Sequence, residues 1–180
     1  EGVEGSYRFL GRVWRLVIEN LDAIKDVKSY DIQTSGALSA QSVDIRRITH
    51  ATIKKVTQDI EERFHFNTAI SAIMELVNAL YIFNPVKTGV SSGDLSIRVF
   101  KESVEAVVVL LSPFAPHIAE ELWRMLGHTE AEALYKTRWP VYEEAALKKD
   151  FVLVVIQING KVRSKISVSP GLDEEAVRGM

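Results

Sequence analysis

The sequence predicts a mainly α protein: a succession of amphipathic helices, followed by a short β-hairpin that opens an α+β piece. Three observations predict it. Apolar residues recur at helical spacing through most of residues 7–126. The stretch "LLSPFAPHIAEELWRMLG" (Leu110 to Gly127) carries two prolines that split one apolar pattern into two helices. At Phe151 the pattern changes to "FVLVVIQINGKVRSKISV", rich in β-branched residues around Asn159-Gly160, the favoured centre of a two-residue hairpin turn.

In chain order, Phe9, Val13, Leu16 and Val17 set the stripe of a first helix from about Tyr7 to Ile24, which Leu10, Trp14, Leu21 and Ile24 widen. Residues 26–38 are polar, contain Ser35 and Gly36, and read as a loop. Ser39 is placed to cap a second, long helix whose pattern runs through Ile45, Ile48, Val56, Ile60 and Phe64. Asn67 is a candidate cap for a third, carrying Ile70, Ile73, Met74, Val77, Leu80 and Tyr81, and Pro85 limits it. After a loop at Gly89 to Gly93, a fourth helix is expected from about Asp94 to Leu111. Pro113 cannot continue that helix, whereas Pro116 suits the first turn of the next, where a missing N–H goes unnoticed. His117 then falls in that first turn, and Gly127 is a natural stop. The motif is a corner.

Residues 128–150 lack a sustained period and read as a tether with a short helical turn near Glu143 to Lys149. The expected division is therefore a helical part at 1–150 and the beginning of a small α+β domain at 151–180, with Asp173, Glu174 and Glu175 opening another helix. A turn at Asn159-Gly160 would pair Ile158 with Lys161, Ile156 with Arg163 and Val154 with Lys165, putting three cations on one face. A hairpin alone is marginal, so this second part reads as cut short. The first residue, Glu rather than Met, suggests a piece of something longer.

Composition narrows the function. Hydrophobic residues make up 47% and charged residues 26%, which suits a folded core, and the purely apolar runs are too short for the roughly 20 residues of a membrane span. With no cysteine, disulfides and thiolate metal sites are excluded. His50, His65, His117 and His128 show no ligand spacing, no phosphate loop is present, and Ser112 before Pro113 reads as a helix terminator, not a nucleophile. The pairs Glu61-Glu62, Glu120-Glu121 and Glu143-Glu144 point about 100° apart on a helix and cannot share one substrate. No catalytic residue, metal ligand or cofactor-binding residue is expected.

A net charge of -2 draws no polyanion globally, so a nucleic-acid surface would require local segregation of the 22 basic residues. Arg46, His50 and Lys54 recur every fourth position on the second helix, Arg47 broadens the row, and Arg8, Arg12 and Arg15 form another on the first. Such rows can neutralise a phosphate backbone without reading bases, although periodicity alone favours a solvated face with ion pairs. For Lys161, Arg163 and Lys165 the alternatives are phosphate contact and edge protection against aggregation. The candidate nucleic-acid-binding residues are thus Arg46, Arg47, His50, Lys54, Lys161, Arg163 and Lys165.

The order "RFLGRVWRLV" (Arg8 to Val17), "THATIKKVTQDI" (Thr49 to Ile60), "FNTAISAIMELVN" (Phe66 to Asn78), "LLSPFAPHIAEELW" (Leu110 to Trp123), "WPVYEE" (Trp139 to Glu144) and "VVIQINGKVRSKISV" (Val154 to Val168) resembles the C-terminal part of bacterial-type leucyl-tRNA synthetases. PFAPHIAEELW is shared with the isoleucine and valine enzymes, while FNTAIxAIMEL and QxNGKVR favour leucine. The resemblance implies an antiparallel helical bundle of the class I anticodon-binding type that holds the tRNA without reading the anticodon, then the start of a C-terminal tRNA-binding domain. It implies leucine tRNA and the catalytic remainder of the synthetase as partners, ATP with magnesium as used by that remainder, no membrane partner, a monomer and a cytoplasmic setting. The family's HIGH and KMSKS motifs and its editing domain do not occur in these residues. The alternatives are the equivalent domain of the valyl or isoleucyl enzymes, or a helical protein-interaction module anchored by Trp14, Trp123 or Trp139.

Overall fold

The computed structural model describes residues 2–34, 36–62, 64–90, 93–148, 152–158 and 161–168, the strands by their backbone alone. The first apolar stripe forms α1 (Gly2–Ile18), interrupted before the short α2 (Leu21–Ile24). The interruption has a local cause: the Asn20 amide donates to the Leu16 carbonyl at 2.7 Å, competing with the helical ladder. α3 (Ala40–Glu61) starts where Ser39 Oγ accepts from the Ser42 amide, and Ile45, Ile53 and Val56 are buried along it. Phe64, expected in this stripe, instead lies beyond the helix end with φ 52° and 72% of its surface exposed.

α4 (Phe66–Phe83) begins one residue before the expected Asn67 cap and buries Ala69, Ala72, Ile73, Leu76, Val77 and Leu80. By length and composition it is the one described helix apolar enough to cross a membrane, which the short apolar runs had not suggested; a buried core helix passes the same test. α5 (Leu95–Leu111) is the centre of the molecule, with buried residues around its whole girth from Ile97 to Leu111. Pro116 then starts α6 (Pro116–Met125), and Gly127 follows with φ 100°, where an added Cβ would stand 2.9 Å from the Lys25 carbonyl. α5 packs on α2, α3, α4 and α6, and α1 packs on α4 and α6, around one hydrophobic core. This is a helical bundle.

Beyond α6, two 3₁₀ turns (Glu130–Glu132 and Leu134–Lys136) lead to the extended segment 137–143 and the single turn α7 (Glu144–Leu147). The chain divides into two compact units, residues 1–146 and 147–180. The second contains β1 (Val152–Ile158) and β2 (Lys161–Val168), paired antiparallel. Their register departs from the expected one: Ile158 pairs with Lys161, but Ile156 pairs with Ser164 and Val154 with Ile166, because the ladder shifts between Ile156 and Gln157. A one-residue shift in a period of two removes the basis for putting Lys161, Arg163 and Lys165 on one face. The Asn159-Gly160 turn and the helix expected at Asp173 to Glu175 lie outside the described residues.

Candidate nucleic-acid interface

Arg46 and His50, expected in a solvent-facing basic row, are interior, at 6% and 4% exposure. The Arg46 guanidinium donates to Glu102 through Nε at 2.9 Å and Nη2 at 3.0 Å, and to Glu143 through Nη2 at 2.9 Å, while Tyr30 lies under its face at 4.6 Å. Burial works to lower its pKa, but the hydrogen bonds and charges of Glu102 and Glu143 outweigh it and hold the group above its ordinary value. His50 Nδ1 accepts the backbone N–H of Glu143 at 3.1 Å. The imidazole proton is therefore on Nε2, which donates to Glu102 at 3.2 Å. The solvent-facing row expected at Arg46 and His50 does not form, because the acids that claim them come from α5 and the segment after α6, which helical spacing cannot show.

Arg47 and Lys54 stay nearer the surface. Arg47 bonds Asp44 at 2.7 Å, and Lys54 reaches Glu144 at 3.3 Å with its ammonium 4.7 Å from the Tyr142 ring. On α1, Arg8 and Arg15 are exposed, and Arg12 is half-buried with its guanidinium 5.1 Å over Tyr81. The Tyr81 hydroxyl donates to the Arg12 carbonyl at 2.8 Å, and Lys87 approaches the same ring at 5.8 Å. Glu4 and Glu19 stand 3.8 Å from Arg8 and 3.6 Å from Lys87. Among the described residues Arg12 and Arg15 make no ion pair, so α1 offers cations that α3 has largely committed internally. In β2, Lys161 lies opposite Ile158 and Lys165 opposite Val155, and Arg163 falls at the register shift.

The other histidines stand at separate places. His128 Nε2 meets Glu105 at 2.9 Å and stacks on Trp123 with ring centres 3.6 Å apart, and Lys101 Nζ ties the Lys25 and Leu126 carbonyls at 3.0 and 3.3 Å. His65 precedes α4, and His117 is exposed in the first turn of α6. His50, Glu102 and Glu143 bring ligand atoms within 4.8 Å of one another, a trio that sequence spacing did not reveal. The Arg46 guanidinium is bonded to both of those carboxylates, so the positive charge a metal would bring to them is already supplied. Among the described residues, no nucleophile, base and orienting group are assembled in one cleft.

The family described as "Anticodon-binding domain of tRNA ligase" matches residues 44–178. The chain belongs to the anticodon-binding domains of tRNA ligases. Similar to this anticodon-binding domain are a leucine–tRNA ligase of Citrifermentans bemidjiense, 51% identical over 99% of the chain and 20% of the relative, and one of Syntrophobacter fumaroxidans, 51% identical over 93% and 19%. The chain spans about a fifth of the length of these relatives. Among solved structures, the Agrobacterium radiobacter K84 agnB2 LeuRS in a ternary complex with tRNA and LeuAMS matches 98% of this anticodon-binding domain and 21% of the LeuRS chain, with TM-score 0.77 and 34% identity.

Proposed function

We propose that this anticodon-binding domain is the tRNA-holding part of a leucine–tRNA ligase. It would steady leucine tRNA by its backbone while the catalytic remainder, using ATP with magnesium, joins leucine to the acceptor end. The observation that carries this reading is the similarity, at about half identity along nearly the whole chain, to leucine–tRNA ligases. The mechanism is positional: phosphate contacts convert a bimolecular encounter into an oriented one. The contacts we assign are Arg8, Arg12 and Arg15 on α1, Arg47 and Lys54 on α3, and Lys161, Arg163 and Lys165 in the hairpin, taken as the start of a second tRNA-binding domain. Arg46 and His50 leave the set because they are buried and bonded to acids. On this reading the protein works in the cytoplasm as a monomer with no membrane partner.

The test is a filter-binding titration of leucine tRNA with the ligase containing this chain, over a range of salt. Affinity is expected to fall steeply with salt, and Arg12→Glu/Arg15→Glu or Lys161→Glu/Arg163→Glu/Lys165→Glu should each weaken it by about tenfold and flatten that slope. Unchanged binding after both reversals would refute backbone holding by these residues.

A further inference from the structure

The partners of α3 and of residues 139–144 run in opposite order. Trp139 Nε1 donates to Thr57 Oγ1 at 2.8 Å; the Tyr142 ring lies against Lys54; the Glu143 amide donates to His50 and its carboxylate accepts from Arg46. Glu144 meets Lys54 again. From Trp139 to Glu143, each step forward along the segment is a step back along α3. The segment has no helix or strand of its own until Glu144, so these side-chain contacts take the place of a ladder. The second unit begins at Leu147, three residues after the last of them.

We propose that α3 is a rail fixing where the chain leaves the bundle, and that His50, Lys54 and Thr57 are positioning residues for the tRNA contacts of the hairpin. This deepens the tRNA-holding reading and rests on it. With the rail engaged, the stretch of sequence between the last anchored residue and the hairpin runs from Glu144, through the α7 turn, to Val152; with it released, it runs from about Lys136, the end of the preceding 3₁₀ turn, so its length roughly doubles. Effective concentration of a tethered site falls roughly as the −3/2 power of linker length, so release dilutes the hairpin cations about threefold around a tRNA already on the bundle. When the segment lifts, the buried Arg46 keeps its Glu102 partner, while Trp139 and Tyr142 leave the edge of the core.

The experiment releases the rail from the segment's side, with Trp139→Ala/Tyr142→Ala/Glu143→Ala in the complete ligase, and measures aminoacylation. We expect KM for leucine tRNA to rise about threefold with kcat unchanged. The same release in a Lys161→Gln/Arg163→Gln/Lys165→Gln background is expected to leave KM where that background put it, a non-additivity that general loosening of the bundle would not produce. Inserting about eight Gly and Ser residues after Lys148 lengthens the run without touching the rail, and should reproduce the threefold rise even if the triple replacement folds poorly. Unchanged KM after the insertion, or a full-sized effect of release without the hairpin cations, overturns the proposal. Failure of the underlying reading looks different: neutralising the hairpin cations alone leaves KM unchanged, and the rail falls with it.

Discussion

At the scale of single residues, burial decides which cations are structural. The Arg46 and Glu102 side chains retain 8% and 16% of their exposure, so each depends on the other to offset the loss of hydration. Glu102→Gln leaves a buried guanidinium with one carboxylate instead of two, and should lower stability by about 3 kcal/mol in urea unfolding. Lys54→Ala, removing a half-exposed ammonium from the pair with Glu144, should lower it by less than about 1 kcal/mol. Equal losses would show that Arg46 is not the anchor its surroundings imply. Because its folded pKa lies above its ordinary value, the Arg46 contribution is complete at all lower pH and fades only as pH rises through that folded value. The difference between the two variants should therefore not draw any pH dependence from Arg46 across the neutral range.

At the scale of elements, helix starts are local and testable one at a time. The Asp94 carboxylate begins α5 by accepting from the Ser96 amide at 2.7 Å, and that backbone hydrogen bond, against a small effect of burial, holds its pKa below the usual value. A depressed carboxylate stabilises the fold above its unfolded pKa and loses that contribution as pH falls through the folded value, so the cap should weaken below about pH 4. Asp94→Asn keeps a good cap without a charge and should remove that part of the acid dependence, read from melting temperature against pH; an unaltered profile would count against the cap. This locality is why helices were legible in the sequence. Ser39, Asp94, Pro116 and Gly127 act on neighbours within a turn, and the stripes Val13, Leu16, Val17 and Ile73, Val77, Leu80 follow from helical period alone. What escaped was nonlocal: Arg46 finds Glu102 and Glu143 at separations of 56 and 97 residues, and the hairpin shift depends on pairing, not on the alternation within either strand. A sequence signal for the rail did exist in the acidic Tyr142-Glu143-Glu144 run that matches the basic turns of α3, but spacing alone could not tell which surface claimed them.

At the scale of the whole molecule, the division into two units separates stability from affinity. Among the described residues, the hydrophobic core and the half-buried residues around it run from Phe9 to Tyr142, in the first unit, and the second unit includes a two-stranded sheet. Ending the chain at Lys148 should therefore leave the cooperative urea transition of the bundle unchanged in midpoint and slope, since its slope reports surface exposed by that core. Binding to leucine tRNA should respond in the opposite sense. Each duplex phosphate neutralised adds about 0.9 to the salt exponent, so losing Lys161, Arg163 and Lys165 together should lower that exponent by up to about 3, while the α1 cations keep the remainder. Parallel urea and salt titrations of the two lengths decide the matter. A lowered unfolding midpoint would mean that the bundle draws stability from residues beyond Lys148, and an unchanged exponent would mean that the hairpin cations do not touch the RNA.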